Sequence, residues 1–158
     1  MTQYILFEYL LVSYAMFLVG FLDDLRITIK PSKRLFIMIL LLFTVIYSLP
    51  IKILNIDILF LSFLLTNHIF SSTFVLLCFL FIINGANLID GFNGLLAINL
   101  IIINIILAYI NINNSNTEMS ILIISQIIVL LSFLLFNFPQ AKIFLGDSGA
   151  YLMGSLVG

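Results

Sequence analysis

The stretch Asn84-Gly-Ala-Asn-Leu-Ile-Asp-Gly-Phe-Asn-Gly-Leu95 decides how the chain is read. It lies between two long apolar runs, Ile69 to Ile83 and Leu95 to Ile110. Three amides, one carboxylate and three glycines interrupt what is otherwise hydrocarbon. If a helix continues to Asp90, then Asn84, Asn87 and Asp90 recur at i, i+3 and i+6. At about 100° per residue they share an arc of roughly 120°. Gly91 and Gly94 then let the backbone turn and approach a ligand closely. The bland alternative is an ordinary polar loop between two helices. A carboxylate this close to a bilayer costs free energy unless it is used, so the stretch is read as a candidate site.

The rest of the composition supports a membrane setting. The chain has 158 residues, 63% of them hydrophobic and 8% charged, with a mean hydropathy of +1.30. A soluble domain carries about a quarter charged residues, so a polytopic membrane protein is expected. No basic stripe or nucleic-acid motif is present, which argues against a nucleic-acid partner. The single cysteine, Cys78, sits in an apolar run and excludes a disulfide framework or a cysteine-based metal site. The lone histidine, His68, falls at an expected membrane edge and reads as structural. The first residues lack the basic segment and cleavage site of a removable signal.

Taken in order, the apolar runs predict six spans. They cover Tyr4 to Leu22, about Ser32 to Leu49, Ile69 to about Ile89, Leu95 to Ile110, Met119 to Phe136, and a last one beginning at Ala150 and cut off at Gly158. Pro31 is read as a break and Ser32 as a helix cap. Asn99, Asn104, Ser125 and Gln126, inside the spans, read as hydrogen-bonding glue between helices. Residues 51–67 carry Lys52, Asn55 and Asp57 among apolar residues, and 54–58 alternate apolar and polar. They read as a short interfacial element, amphipathic or β-like. No repeat or linker appears, so residues 1–158 form one domain.

Charge placement gives an independent test. With six spans, the loops at 23–34, 90–94 and 137–149 share one side. That side holds Arg26, Lys30, Lys33, Arg34 and Lys142, against Lys52 on the other, which is the cytoplasmic signature. The same side gathers Asp23, Asp24, Asp90 and Asp147. This topology starts the chain outside the cell without a signal and ends it within the membrane, so helices are expected to be missing at both ends.

Four carboxylates cannot share a site bare. Close like charges raise pKa values or recruit a cation. Oxygen donors from Asp and Asn suit magnesium or manganese rather than zinc. Magnesium commonly takes one or two carboxylates and completes its shell with water and substrate phosphate. A metal-dependent site for a phosphorylated substrate at the membrane surface is therefore expected. Taken alone, Asp23-Asp24 could be a solvated helix end. Gly146-Asp147-Ser148-Gly149 could likewise be a turn with Asp147 or Ser148 capping the next helix.

Together the three stretches resemble a known family, the polyprenyl-phosphate N-acetylhexosamine-1-phosphate transferases of glycosyltransferase family 4. Phe21-Leu-Asp-Asp-Leu25 resembles its first aspartate-rich motif. Asn84 to Leu95 resembles its Asn-x-x-Asn-x-x-Asp-Gly-x-Asp/Asn-Gly-Leu motif, and Phe144 to Gly154 its Gly-Asp-x-Gly motif. The resemblance implies transfer of a sugar 1-phosphate from a UDP-N-acetylhexosamine to polyprenyl phosphate, with release of UMP, in cell-envelope glycan synthesis. It implies magnesium, with manganese able to replace it, held by Asn87 and Asp147. Asp23 and Asp24 would act at the acceptor phosphate and Asp90 beside the metal, all three as catalytic residues. Asn84, Gly91, Asn93 and Gly94 would lie on the substrate, the last three near the nucleotide. The implied setting is the cytoplasmic face of the cell membrane, in contact with lipid, with a homodimer as a candidate assembly.

Asn93 stands where many bacterial members carry a second Asp, which points away from the muramoyl-pentapeptide branch. The first motif lacks a third acidic residue, and a later histidine-containing loop lies beyond Gly158. The competing readings are an intramembrane aspartyl protease using Asp90 and Asp147, a CDP-alcohol phosphotransferase, a transporter, and an inactive truncated homologue. Phe144 replaces the first glycine of the protease motif, and no Ala-Arg pair follows Asp90-Gly91.

Overall fold

The computed structural model describes residues 3–25, 30–48, 56 and 58–158. Among them are seven helices and no strand: α1 (Gln3–Asp24), α2 (Pro31–Ser48), α3 (Leu59–Leu65), α4 (His68–Ile89), α5 (Leu95–Asn113), α6 (Thr117–Asn137) and α7 (Gly146–Val157). Helices α4, α5 and α6 are long and apolar enough to cross a membrane, with mean hydropathies of 2.1, 2.4 and 2.6. Large apolar side chains such as Phe81, Leu135 and Tyr109 stand exposed on their outer faces, as a lipid solvent allows. The protein is an all-α polytopic membrane protein.

The long helices fall where the apolar runs place them, 51–67 holds a short element as expected, and the readings of Pro31, Ser32 and the start of the last helix change. Pro31 opens α2 instead of breaking the chain. Its fixed φ suits a first helical position, where no intrahelical N–H bond is needed. Ser32 consequently lies inside the first turn, and the Arg34 N–H bonds to the Lys30 carbonyl at 3.1 Å. In the 51–67 region, the seven-residue α3 is about 10 Å long, too short to span a bilayer. The expected alternation over 54–58, Arg26 and Lys52 fall mostly or wholly outside the described residues. Finally, α7 begins at Gly146, four residues before the expected Ala150, so Asp147 sits in a helical first turn.

Two of the four intraspan polar residues bond to their own helices instead of across. The Asn99 amide donates to the Leu95 carbonyl and the Ser125 hydroxyl to the Leu122 carbonyl. Back-bonding of this kind satisfies the polar group without a partner helix.

Helix α7 is the joint of the bundle. It packs against α1 and α4 and touches α5, while α5 pairs with α6. Its Tyr151 enters a core with Met16 of α1, Met38 and Leu42 of α2, and Leu80 and Ile83 of α4. The adjacent Ala150, with Met153, enters a second core with Ala86, Leu96, Ala97, Leu100 and Leu130. Small residues permit the close approach, as is usual where helices meet in lipid. A Cβ on Gly154 would stand 3.0 Å from both Ile83 Cα and Ala86 Cβ, and one on Gly20 would stand 2.6 Å from Ser148 Cα.

Gly20→Ala forces α1 away from the start of α7 and is expected to cost about 1–3 kcal/mol by overpacking. Gly85 has nothing within 4 Å of such a Cβ, so Gly85→Ala is the neutral control. Thermal unfolding in detergent checks both, and equal midpoints for the two variants would contradict the close packing of α1 on α7.

Candidate active site

The helix ends that carry the three motifs meet at one end of the bundle. Helix α4 runs to Ile89, with Asp90 as its C-cap and the Asp90 N–H bonded to the Ala86 carbonyl at 3.2 Å. One turn earlier on the same helix, Asn87 points at α7. Its Nδ2 donates to Asp147 Oδ1 at 2.6 Å. From the first turn of α2, Arg34 Nη1 donates to Asp147 Oδ2 at 2.8 Å and also to Asp23 Oδ2 at the end of α1. The guanidinium lies 5.4 Å from the centre of the Tyr151 ring, a contact that adds cation–π attraction. One carboxylate thus joins three helices, α2, α4 and α7, and reaches a fourth through Arg34.

Asp24 holds the start of α7. Its carboxylate accepts from the N–H groups of Asp147 and Ser148, both at 3.0 Å, and from the Ser148 hydroxyl at 2.5 Å. This is an N-cap supplied from another helix. It satisfies first-turn donors that have no intrahelical partner and places negative charge at the positive end of the helix dipole. Neither Asp147 nor Ser148 serves as the cap, and Leu145 at the N-cap position makes no side-chain cap bond. Gly146 has φ +70°, and a Cβ there would meet Asp24 Oδ2 at 2.9 Å. Glycine is needed for both reasons.

The carboxylates differ electrostatically. For Asp24, burial raises the pKa, but the hydrogen bonds from Ser148 and Asp147 outweigh it and hold the group below its usual range. For Asp147, burial and the neighbouring Asp23 push the pKa up, against the pull of Asn87 and Arg34. Asp90 is pushed up to about 6, first by burial and then by the charges of Asp147 and Asp24, although a bond from the Gly146 N–H opposes the shift.

The remaining candidates are placed differently. Asn84 turns back on its own helix, its Nδ2 donating to the Leu80 carbonyl at 2.8 Å. Gly91 is exposed, and a Cβ there would approach only the Leu88 carbonyl oxygen, at 3.9 Å. Gly94 opens α5 with φ +73° and is buried, its N–H bonded to Asn137 Oδ1 at 2.5 Å. Asn93 is exposed and its Nδ2 donates to the Pro139 carbonyl at 3.1 Å.

Arg34 and Asn137 are not among the candidate site residues of the sequence, and Ser148 enters there only as a candidate helix cap. Arg34 entered there only as one of five basic residues on one side. A basic residue one turn into a helix that follows an Asp-Asp pair was the available signal for it. Among the described residues, no three His, Cys, Asp or Glu side chains are grouped to hold a metal ion. Asn87 meets Asp147 through its Nδ2, and Arg34 takes the other Asp147 oxygen.

Fold and site together define a polytopic membrane protein with a carboxylate–amide–guanidinium centre at one end of its helices. Comparison with known proteins makes the class specific. The chain belongs to Glycosyl transferase family 4, which matches residues 6–158. It is 31% identical over 147 residues to a phospho-N-acetylmuramoyl-pentapeptide-transferase of Clostridium perfringens, covering 88% of this chain and 46% of that protein. It is 30% identical over 149 residues to the enzyme of that name from Streptococcus agalactiae, covering 89% and 44%. Over 77 residues it is 42% identical to a Sulfolobus acidocaldarius protein named as a candidate UDP-N-acetylglucosamine–dolichyl-phosphate N-acetylglucosaminephosphotransferase, covering 48% and 24%. The chain therefore spans about half the length of the first two relatives. No solved structure matches. Membership of this family sets aside the protease, CDP-alcohol and transporter readings.

Two outcomes test the site's electrostatics. Folded Asp90 keeps its proton up to about pH 6, whereas a free aspartate titrates at 3.8. Between those values the native state binds more protons than the unfolded one, so stability falls as pH rises from about 4 to about 6 and is level above. Asp90→Asn is expected to remove that slope, measured as thermal midpoint against pH in metal-free buffer. An unchanged slope would mean Asp90 titrates normally. Arg34→Ala leaves Asp23 and Asp147 without their shared cation and is expected to cost about 1–3 kcal/mol. Arg34→Lys recovers only part, because an ammonium lacks the guanidinium fork. Denaturation midpoints of the two variants check this.

Proposed function

We propose that this protein transfers a sugar 1-phosphate from a UDP-N-acetylhexosamine to polyprenyl phosphate and releases UMP, at the cytoplasmic face of the cell membrane. The observation that carries the reading is the Asp147 carboxylate, bonded at once to Asn87 and Arg34, in a chain similar to one protein named for UDP-N-acetylglucosamine and dolichyl phosphate and to others named as phospho-N-acetylmuramoyl-pentapeptide-transferases. In the reaction, an oxygen of the acceptor phosphate bonds to the sugar-bearing phosphorus of the donor. The bond from that phosphorus to the bridging oxygen breaks, and UMP leaves with the oxygen.

Asn87 and Asp147 would hold magnesium, or manganese in its place. A carboxylate and an amide oxygen are the donor types of an ion that leaves the rest of its shell to water and phosphate; here the Asp147 oxygens meet Asn87 Nδ2 and Arg34 Nη1, which the ion would displace. When bound, the ion supplies positive charge that neutralises the diphosphate. The other residues divide the remaining work. Asp24, spent on three donors and held below its usual pKa, is a poor base and positions α7. Asp23 sits at the same guanidinium as Asp147, where Arg34 can present positive charge to a phosphate. Asp90, with its raised pKa, is the carboxylate best matched to take a proton from the acceptor phosphate near neutral pH. The exposed turn at Gly91 and Asn93, with Gly94 behind it, offers backbone to the nucleotide. Asn84, bonded one turn back on α4, would border the substrate.

Membranes containing the natural full chain are expected to release UMP from UDP-N-acetylglucosamine or UDP-N-acetylmuramoyl-pentapeptide when given polyprenyl phosphate and magnesium. EDTA is expected to abolish the release, and Asp147→Asn to lower it at least 100-fold. No UMP from either donor in the wild type would overturn the reading, and metal-independent release would overturn the assignment of Asn87 and Asp147.

A further inference from the structure

Asn137 closes α6 and lies outside all three motifs, yet only 3% of it is exposed. Both ends of its amide are engaged. Oδ1 accepts from the Gly94 N–H at 2.5 Å, and Nδ2 donates to the Ile143 carbonyl at 2.7 Å. Those two backbone groups belong to different parts of the candidate site. Gly94 ends the turn that follows Asp90 and starts α5. Ile143 lies three residues before Gly146, where α7 begins.

The neighbouring contacts run the same way. Asn93 donates to the Pro139 carbonyl at 3.1 Å, and the Lys142 N–H bonds to the Phe136 carbonyl at 2.9 Å. A Cβ on Gly94 would stand 2.9 Å from the Phe138 ring. The turn and the segment leading to α7 are thus fastened to each other over a short distance. Among the described residues, the one buried side chain that bonds to both is Asn137. A buried amide satisfied at both ends is rigid, because releasing either bond strands a polar group away from water.

We propose that Asn137 is a positioning residue for transfer. Its amide sets the Asp90–Gly94 turn in register with the Ile143–Asp147 segment, and so fixes the gap between the turn's exposed backbone and the Asp147 carboxylate. The inference rests on the transferase reading above, because that reading gives the turn to the nucleotide and Asp147 to the diphosphate. The chemistry of the position is narrow. Leucine keeps the branching at Cγ, is somewhat larger, and makes neither bond. Ionised aspartate keeps the acceptor for Gly94 and loses the donor for Ile143.

The test uses the natural full chain in membranes, with initial rates measured while UDP-sugar and polyprenyl phosphate are varied separately. Asn137→Leu is expected to raise KM for the UDP-sugar at least tenfold and to leave KM for polyprenyl phosphate within twofold. Asn137→Asp is expected to fall between Asn137→Leu and wild type. A purely structural role predicts a smaller amount of active enzyme, with Vmax lowered and both KM values unchanged; that result overturns the proposal. If Asn137→Leu fails to accumulate, Asn137→Asp decides: an unchanged KM for the UDP-sugar overturns the proposal and a raised one supports it. Hydrogen exchange gives a second readout that needs no turnover. Peptides covering 92–97 are expected to exchange at least tenfold faster in Asn137→Leu than in wild type, and equal exchange overturns the clamp. If the wild type transfers nothing, the transferase reading fails, and exchange still judges the clamp.

Discussion

The seating of a twelve-residue helix, α7, is the constraint on which the rest of the structure depends. Its first-turn N–H groups need acceptors, and no residue just ahead of it supplies one. Asp24 does, from the end of α1. A cap made between helices differs from a local one in consequence. A local cap stabilises one helix, whereas this one also fixes the distance between two. Glycine at 20 and at 146 lets the backbones come close enough for the carboxylate to reach. The same helix then presents Tyr151 and Ala150 to two separate cores, so the site end and the apolar interior are positioned by one element.

This arrangement explains how the motifs come together although 60 residues separate Asn87 from Asp147 and 113 separate Arg34 from it. Each motif sits at a helix terminus, where the chain changes direction and backbone groups lack intrahelical partners. Polar side chains are recruited to such ends, and in a membrane protein the ends on one side share a plane. The convergence of acidic residues follows from topology and from the need to satisfy terminal donors. It needs no long loops to bring the groups together.

That logic also marks what could be read from the sequence. The apolar runs gave the long helices within a few residues, because span length and hydrophobicity are local properties. The grouping of Asp23, Asp24, Asp90 and Asp147 on one side came from counting spans and basic residues. The start of α7 was misplaced because Gly146-Asp147-Ser148-Gly149 is, locally, turn sequence; the acceptor that makes it helical is 123 residues away. Arg34 was visible as a charge but not as a bridge. Asn137 was invisible, since the end of an apolar run followed by a proline looks like any other exit from a membrane. Side chains whose partners lie across the bundle leave no periodic trace.

Four carboxylates at one end of a helical bundle raise the question of why their repulsion does not drive the ends apart. They meet positive charge in different forms. Asp24 is met by a helix terminus, which is fixed and cannot leave. Asp23 and Asp147 are met by Arg34, one side-chain cation shared between two carboxylates. Asp90 is met by little more than one backbone N–H, and its raised pKa records the shortfall. Backbone donors hold Asp24 in place, one shared cation serves Asp23 and Asp147, and Asp90 is left the least compensated of the four. The same physics that keeps the ends of α1, α4 and α7 together therefore leaves their carboxylates in three different electrostatic states.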